Sequence, residues 1–249
     1  MVISIHTEYD HDISFIRLNE NCFDPLAVTD RLGAVMTHIL YIEASPRKAR
    51  SASTEIARHA LAAWRSEDAT VTVDTLDLWS ESLPEFDGPA MEAKYAGLSG
   101  TPLTAEQAAA WSQIRALAGR FLAADALVVA APLWNFSIPY KLKHLIDVVS
   151  QKDLLFTFDE SGFGGLLRGR KALVICARGL DYSPSAATPA GTYDFQKPYL
   201  ETWLQFVGIS EIVSVVAEKT LFGPEIDGAS RAAACAEAVK AARKFARPA

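Results

Sequence analysis

The sequence predicts an α/β protein, a three-layer sandwich whose five-stranded parallel sheet has the strand order 2-1-3-4-5 and helices on both faces. Five short apolar or β-branched runs alternate along the chain with five stretches of helical periodicity. The run at 125–131 (DALVVAA) is almost entirely apolar, which is typical of a strand buried on both faces. Right-handed crossovers leave few topologies for such a sheet, and 2-1-3-4-5 is a common one.

The first half of the predicted α/β region contains three strands and two helices. Residues 38–43 (HILYIE) and the alternating run 70–76 (TVTVDTL) read as strands. Residues 51–64 carry an apolar helical face made of Ile56, Ala60, Leu61 and Trp64. Glycines and prolines make 78–103 a long loop, with room for a short helix. Thr104 is the predicted cap of a helix that ends near residue 124 and precedes the third strand at 125–131.

The second half begins with a helix from residue 137 or 138 to residue 149. Residues 154–158 are predicted as one arm of a small hairpin that turns at 161–165 (SGFGG). The fourth strand of the main sheet is 171–177 (KALVICA), and the fifth is 211–217 (EIVSVVA). Helices are predicted at 194–207 and, as an alanine-rich closing element, at 224–245.

Residues 1–36 show no sustained helical or strand period, and we predict an N-terminal extension there, ahead of one domain at 37–249. Two interpretations stay open. In one, the segment is an arm that packs on the body or on a partner subunit. In the other, which we favour, Met36 is the natural start and the preceding segment is poorly ordered.

Composition limits the classes of function. The 249 residues include 24 Lys and Arg against 30 Asp and Glu, a net charge of −6, so a general nucleic-acid-binding surface is not expected. No run is long and apolar enough to span a bilayer, and the first residues lack a secretory signal, so neither a membrane partner nor export is expected. The three cysteines are far apart and suggest no disulfide framework or zinc site. We therefore expect a cytoplasmic protein.

Ligands of such sheets bind beyond the carboxyl ends of the strands. The loop after strand one, 44–54 (ASPRKARSAST), places three basic side chains and four hydroxyls at a helix start, where unpaired backbone N–H groups attract phosphate. It contains neither G-x-x-x-x-G-K-[ST] nor G-x-G-x-x-G. The alternative is an N-cap serine in a solvated basic loop.

Two further loops belong to the same predicted edge. After strand three, Trp134 and Phe136 can wall a flat ligand while Asn135 offers a donor and an acceptor; the alternative is a hydrophobic lid and helix cap. After strand four, Gly179 allows close approach of backbone to a ligand. In that loop Arg178 is alternatively structural, paired with a carboxylate, and Tyr182 is alternatively an exposed residue.

A phosphate end and a flat aromatic end in one crevice describe flavin mononucleotide (FMN). The residues that carry a wider match are distributed over the body of the chain. They are Ser45 with 51–53, 131–136 (APLWNF), Leu142-Lys143 with Asp147, 156–158, Gly165-Leu166, 169–172, 177–179, Gly208-Ile209, Ala217-Glu218 and 223–225. In these residues the chain resembles the FMN-dependent NADH:quinone oxidoreductase and azoreductase family, which has a flavodoxin-like fold.

The resemblance implies a homodimer with one FMN per subunit, NADH or NADPH as donor, and ping-pong two-electron reduction of quinones and of aromatic azo bonds. It implies phosphate binding by Ser45, Ser51, Ala52 and Ser53. It implies contact with the isoalloxazine ring by Leu133, Trp134, Asn135 and Phe136 and by Ala177, Arg178, Gly179 and Leu180. No side chain is needed as a catalytic acid or base, and no metal is expected, because the flavin carries the chemistry.

This chain departs from the family's usual S-R-G-G pattern at Ala177 and Leu180, and Tyr182 stands where relatives often carry histidine. Tyr182 is therefore the candidate substrate residue. Two other classes, a flavodoxin-like electron carrier and a phosphodiesterase, are less favoured, because the chain has an added hairpin and no G-x-S-x-G elbow. We interpret Cys176 as a core residue, His144 as a surface or interface residue, and the acidic 153–160 region as a solvated turn.

Overall fold

The computed structural model describes residues 36–247. Within that range the strands are β1 (His38–Glu43), β2 (Thr72–Asp77), β3 (Ala126–Pro132), β4 (Phe156–Asp159), β5 (Gly162–Gly165), β6 (Lys171–Ala177) and β7 (Glu211–Ala217). The helices of the same range are α1 (Ala52–Glu67), α2 (Gly88–Ser99), α3 (Ala105–Ala123), α4 (Tyr140–Val149), α5 (Ala190–Tyr193), α6 (Lys197–Phe206) and α7 (Pro224–Ala246). The predictions for residues 1–35 lie outside the described part of the chain.

The central sheet has five parallel strands in the order β2-β1-β3-β6-β7. The predicted five-stranded parallel sheet with helices on both faces is confirmed. The strand numbers differ from 2-1-3-4-5 because β4 and β5 form a separate antiparallel hairpin between β3 and β6 along the chain. None of the helices in residues 36–247 is long and apolar enough to cross a membrane.

Two apolar cores cover the two faces of the sheet. The alternation of side chains along β1 sends Ile39 and Tyr41 to one face and Leu40 and Ile42 to the other. Helices α1 and α7 bury the first face, and α3, α4 and α6 bury the second. Each fully buried aliphatic side chain contributes about 1.5–3 kcal/mol to folding. Since both faces are covered, the central strand β3 (ALVVAAP) is apolar throughout, whereas the edge strand β2 (TVDTLD) keeps polar residues.

Caps set the starts of two long helices. Thr104 accepts a hydrogen bond from the Gln107 N–H at 3.2 Å, and the Gln107 side chain accepts one from the Thr104 N–H at 3.0 Å. This capping box confirms the predicted start of α3. The Ser51 hydroxyl accepts from the Thr54 N–H at 3.4 Å and caps α1 in the same way.

Three boundaries differ from the prediction. The 78–103 segment contains a 12-residue helix, α2, because Pro89 lies at its start and Gly100 ends it with φ 69°. Helix α6 begins at Lys197, next to Pro198, rather than at residue 194. The glycine-rich 162–165 segment, predicted as a turn, is the second hairpin strand, and the chain reverses at 160–161 instead. Glycine tolerates both strand and turn conformations, so sequence alone does not distinguish them.

The hairpin is fixed to the end of α6 by a close approach between two glycines. A Cβ atom built on Gly165 would lie 2.2 Å from the Gly208 nitrogen and 2.3 Å from the Val207 carbonyl carbon. The Leu167 N–H donates to the Val207 carbonyl at 2.8 Å beside this contact. Both obstructing atoms belong to the backbone, so no flexible side chain can move aside to make room for an added methyl group.

We expect Gly165→Ala to lower the free energy of unfolding by about 3 kcal/mol, because the added methyl group forces two backbone segments apart. Gly119→Ala is the matched control, since Gly119 lies within α3 and a Cβ there meets nothing within 4 Å. That control should be neutral or stabilise the protein by about 0.4–1 kcal/mol. Urea unfolding measures both, and equal stability of the two variants would contradict the packing argument.

Candidate functional site

Three loops meet at the carboxyl edge of the sheet, as the strand register requires. Glu43 pairs with Ala130, and Ala177 pairs with both Pro132 and Ala217. The Leu133 N–H donates to the Ala177 carbonyl at 2.8 Å and so carries the pairing one residue past the strands. The loops after β1, β3 and β6 therefore leave the sheet side by side.

The loop after β1 presents a hydroxyl-rich helix start. The side chains of Ser45, Ser51 and Ser53 are buried. The Ser51 and Ser53 hydroxyls lie 3.1 Å apart, and the Ser45 hydroxyl accepts from the Arg47 N–H at 3.3 Å. The N–H groups of Ala52 and Ser53 belong to the first turn of α1, where no intrahelical acceptor is available. This arrangement suits an anion such as a phosphate.

Thr54 belongs to the same group, although the sequence did not single it out. Its side chain is fully buried, and its Oγ1 atom makes no hydrogen bond of ordinary geometry among residues 36–247, although it lies close enough to the Tyr41 hydroxyl to oppose the rise in the pKa of that phenol. A buried hydroxyl without a well-formed hydrogen bond costs free energy, which a ligand at the helix start would recover. The available clue in the sequence was its place as the fourth hydroxyl of the loop.

The basic residues of this loop do not act alike. Lys48 forms ion pairs with Asp77 and, at 3.2 Å, with the buried Glu43 carboxylate. The Tyr41 hydroxyl donates to the same carboxylate at 3.1 Å, and burial, followed by the Glu43 charge, raises the pKa of Tyr41 above its ordinary value. Lys48 is thus engaged within the protein, whereas Arg47 and Arg50 are exposed.

The loop after β3 forms a tight turn at Asn135 and Phe136. Trp134 and Ser137 exchange two backbone hydrogen bonds of 2.9 Å each. Asn135 has φ 45° and Phe136 has φ 70°, so both central residues are left-handed, as in a type I′ turn. Phenylalanine rarely adopts this conformation, and such strain concentrates at functional sites. Both side chains are exposed, and the backbone N–H groups of Asn135 and Phe136 donate no hydrogen bond within residues 36–247.

Neighbouring residues hold this turn in place. The Phe136 ring packs against Tyr193 of α5 with centroids 5.1 Å apart, and the Phe195 N–H donates to the Phe136 carbonyl at 2.8 Å. On the other side, Trp134 lies 5.8 Å from the ring of Trp79. The indole N–H of Trp79 donates to the Ala44 carbonyl at 3.0 Å, which connects the loops after β1 and β3. Sequence analysis missed Trp79 because it lies in the long segment after β2.

Arg178, in the loop after β6, is mainly structural. Its buried guanidinium pairs with Asp194 and, at 3.1 Å, with Glu218, and it lies 5.1 Å from the centroid of the Tyr182 ring. The interpretation of Arg178 as paired with a carboxylate is confirmed. Tyr182 is 4% exposed, so its interpretation as an exposed residue is wrong.

The remaining predicted residues of this segment differ in accessibility. Ala177 ends β6 and is buried, whereas the side chain of Leu180 is exposed. A Cβ on Gly179 would lie 2.6 Å from Leu221 Cδ1, so the glycine leaves space for that side chain. Cys176, just before this segment, is fully buried, and burial raises the pKa of its thiol to about 12. Its interpretation as a core residue is confirmed.

A cavity of about 760 Å³ adjoins the turn after β3. Of the predicted site residues, Trp134 and Asn135 line it. Its other walls include α4 through Tyr140, Lys143, His144 and Asp147, together with Tyr199 of α6 and residues 85–86. A backbone contact holds His144 at the wall of this cavity, since its Nε2 atom lies 3.0 Å from the Pro84 carbonyl oxygen. In the part of the chain that the structure describes, no group of three His, Cys, Asp or Glu side chains is placed to hold a metal.

Comparisons with known proteins agree with this architecture. A family model described as flavodoxin-like fold matches residues 37–242. FMN-dependent NADH:quinone oxidoreductase 9 of Burkholderia lata is 53% identical over 211 residues, which cover 84% of this chain and 100% of that protein. FMN-dependent NADH:quinone oxidoreductase 3 of Pseudomonas fluorescens is 51% identical over 212 residues, 85% of this chain and 98% of that protein.

Solved structures give the same relationship. An FMN-dependent NADH-azoreductase of Bacillus anthracis, in complex with FMN, superposes with a TM-score of 0.77 at 27% identity and covers 85% of this chain and 100% of its own. Another azoreductase structure from that species has a TM-score of 0.76 at 29% identity, with coverage of 84% and 100%. The chain belongs to the flavodoxin-like family whose members include the FMN-dependent NADH:quinone oxidoreductases.

Proposed function

We propose that this protein is an FMN-dependent NADH oxidoreductase that reduces quinones and cleaves aromatic azo compounds. One observation carries the proposal. A helix start with buried hydroxyls lies at the same sheet edge as a strained turn whose two central backbone N–H groups donate no hydrogen bond within residues 36–247. A ligand with a phosphate at one end and a flat ring at the other fits both. The names of the relatives and the FMN-bound azoreductase support the same cofactor.

The start of α1 holds the phosphate in this proposal. The hydroxyls of Ser45, Ser51 and Ser53 and the N–H groups of Ala52 and Ser53 surround the position in this proposal. Thr54, whose Oγ1 makes no hydrogen bond of ordinary geometry within residues 36–247, adds a further donor. Hydrogen bonds to a charged group contribute about 1.5–3 kcal/mol each. The low exposure of these side chains excludes competing water and strengthens the contacts.

The loops after β3 and β6 hold the ring. Leu133, Trp134, Asn135 and Phe136 form one wall, and the segment from Ala177 through Arg178 and Gly179 to Leu180 forms another. Bound FMN supplies two-electron chemistry between a reduced nicotinamide and the acceptor. The N–H groups of Asn135 and Phe136 stabilise negative charge on the ring, because fixed backbone dipoles need no reorganisation.

No side chain of the site is required as an acid or base. The Cys176 thiol is fully buried, and its raised pKa keeps it protonated. Tyr182 is buried against Arg178, so it shapes the ring-facing segment instead of touching the acceptor. Leu180 stands where the family's usual S-R-G-G pattern has its last glycine. Its side chain is exposed, and in this proposal it faces the ligand.

We also propose that the protein works as a homodimer. The hairpin carries Phe158 and Phe163, which are 54% and 66% exposed, with ring centroids 4.7 Å apart. Adjacent exposed aromatic rings of this kind are typical of a surface that is covered in an assembly. The proposed donor is NADH, the nicotinamide in the names of the relatives; NADPH is the alternative.

The direct test is an absorbance spectrum of the purified protein under anaerobic conditions. We expect flavin absorbance that bleaches on addition of NADH and returns on addition of benzoquinone. Protein without flavin is first incubated with FMN, so poor retention during purification does not decide the result. Failure to take up FMN, or an unchanged spectrum with NADH, would overturn the proposed function.

Thr54→Val tests the phosphate site. We expect FMN affinity to fall about tenfold, which corresponds to about 1.4 kcal/mol, while riboflavin affinity stays the same because riboflavin has no phosphate. The FMN-free variant should keep nearly wild-type stability, because the contact of this hydroxyl with Tyr41 does not have hydrogen-bond geometry within residues 36–247. Ser66→Ala is the control, at the exposed far end of α1. Equal losses of FMN and riboflavin affinity would count against phosphate contact by Thr54.

Two substitutions of Asn135 distinguish the role of its side chain from the role of its backbone conformation. Asn135→Gly keeps the left-handed conformation without strain, whereas Asn135→Ala removes the amide and also opposes φ 45°. We expect both variants to lower FMN retention or turnover, and Asn135→Ala to have the larger effect by about 1 kcal/mol. Dialysis against buffer and steady-state assays with benzoquinone measure the two quantities. Wild-type retention and turnover in both variants would remove Asn135 from the site.

A further inference from the structure

The short segment 190–196 contacts both of the loops that hold the ring in the proposed site. It consists of α5 and the three residues between α5 and α6. The Ala190 N–H donates to the Tyr182 carbonyl at 3.0 Å, in the loop after β6. Near the other end of the segment, the Phe195 N–H donates to the Phe136 carbonyl at 2.8 Å, in the turn after β3. The segment therefore joins the two loops at residues that lie beyond the paired ends of β3 and β6.

Asp194 lies at the centre of these contacts, with a side chain that is only 7% exposed. One of its carboxylate oxygens pairs with the buried Arg178 guanidinium, which belongs to the loop after β6. The other oxygen accepts from the N–H groups of Gln196 and Lys197 at 2.9 and 3.0 Å. Those N–H groups lie at the start of α6, where intrahelical acceptors are lacking. A single side chain thus caps α6 and holds the loop after β6.

The turn after β3 is held from the same segment. The buried Gln196 side chain donates from Nε2 to the Ala131 carbonyl at 3.0 Å, next to the end of β3. The Tyr193 ring packs against the Phe136 ring with centroids 5.1 Å apart. Because Phe136 has φ 70°, its conformation persists only where neighbouring contacts determine it. Both of these contacts are made by residues within two positions of Asp194.

We propose that Asp194 is a positioning residue for the flavin ring. It acts on one wall of the ring site through Arg178, and on the other wall by fixing residues 195–196, which hold the turn. Asp194 itself does not touch the ring in this inference. The ring needs both walls at a fixed separation, because a small misplacement of binding groups weakens their contacts. The identity of the ligand rests on the proposed function, whereas the coupling of the two loops is a property of the chain alone.

Asp194→Asn removes the charge that pairs with Arg178 and changes the shape of the side chain very little. The amide oxygen of asparagine still accepts from the first N–H groups of α6, because asparagine caps helices as well as aspartate does. Arg178 also keeps its ion pair with Glu218 at 3.1 Å, so the buried guanidinium is not left without a carboxylate. The variant therefore weakens one link of the segment and keeps the others.

Asp74→Asn is the matched control. Arg120 pairs with Asp74 at 2.7 Å and with Glu81 at 2.8 Å, so this substitution also leaves an arginine with one of its two carboxylate partners. Asp74 pairs with Leu40 in the middle of the edge strand β2, away from the loops at the carboxyl edge of the sheet. The control reports the general effect of losing such an ion pair.

Amide hydrogen exchange of the full chain, measured before FMN is added, reports the coupling of the loops without the ligand. The hydrogen bonds donated by the N–H groups of Trp134, Ser137 and Phe195 hold the turn. We expect these three groups to exchange about tenfold faster in Asp194→Asn and at the wild-type rate in Asp74→Asn. A role confined to the cap of α6 would leave all three protected as in the wild type, and that result would overturn the inference.

Flavin affinity tests the step from the loops to the ring. FMN and riboflavin share the ring, so we expect Asp194→Asn to weaken the binding of both about tenfold. Thr54→Val, in contrast, is expected to weaken the binding of FMN alone. Wild-type affinity for both flavins in Asp194→Asn, or a loss confined to FMN, would contradict the positioning role.

Gln196→Met is a second variant, which reaches the turn without altering any ion pair. It removes the hydrogen bond to the Ala131 carbonyl and keeps a side chain of similar volume. We expect the Trp134 and Ser137 N–H groups to exchange about fivefold faster, with a matching loss of affinity for both flavins. Wild-type exchange here would also refute the inference. Failure of the proposed function is distinct, because it shows as the absence of FMN uptake by the wild type, and the exchange rates then decide the coupling by themselves.

Discussion

The parallel register of the central sheet is the constraint on which the rest of the molecule depends. Pairing of Glu43 with Ala130 and of Pro132 with Ala177 ends β1, β3 and β6 at a common level. The three loops whose residues suit ligand binding therefore begin at the same edge of the sheet. The register is itself maintained by apolar burial on both faces, since a shift by one residue would turn the core-facing side chains of each strand the wrong way.

Polar groups at this edge divide into satisfied and unsatisfied sets. Lys48, Glu43 and Asp77 compensate one another, and the Arg178 charge is neutralised by Asp194 and Glu218 even though its Nε–H has no partner within residues 36–247, so these charges shape the loops. The first N–H groups of α1 have no intrahelical acceptor, and they lie beside the buried Ser51 and Ser53 hydroxyls at the proposed phosphate position. In the proposed function the hydroxyls and the backbone, and not the side-chain cations, are therefore the principal donors to the phosphate.

The aromatic residues form a continuous connection between the two ends of the site. Trp79 contacts Trp134 and Tyr140, and its indole N–H reaches Ala44 at the start of the phosphate loop. Displacement of Trp79 would therefore remove ring contacts both at the turn after β3 and at the wall of the cavity. Trp79 thus connects the wall of the cavity, the turn after β3 and the loop after β1 through ring contacts and one hydrogen bond.

The sequence by itself determined the sheet, its covering helices and the loops at its carboxyl edge, because these depend on local periodicity, helix caps and short apolar runs. It also offered carboxylate pairing as an alternative to the cofactor role of Arg178, and it identified Cys176 as a core residue. Only the tertiary structure decided the hairpin register at 162–165, the roles of Thr54 and Trp79, and the burial of Tyr182. Each of these depends on partners distant in the chain or on glycine conformations that local sequence leaves open. The cavity formed by α4, Tyr199 and residues 85–86 likewise exists only once three separate segments have packed together.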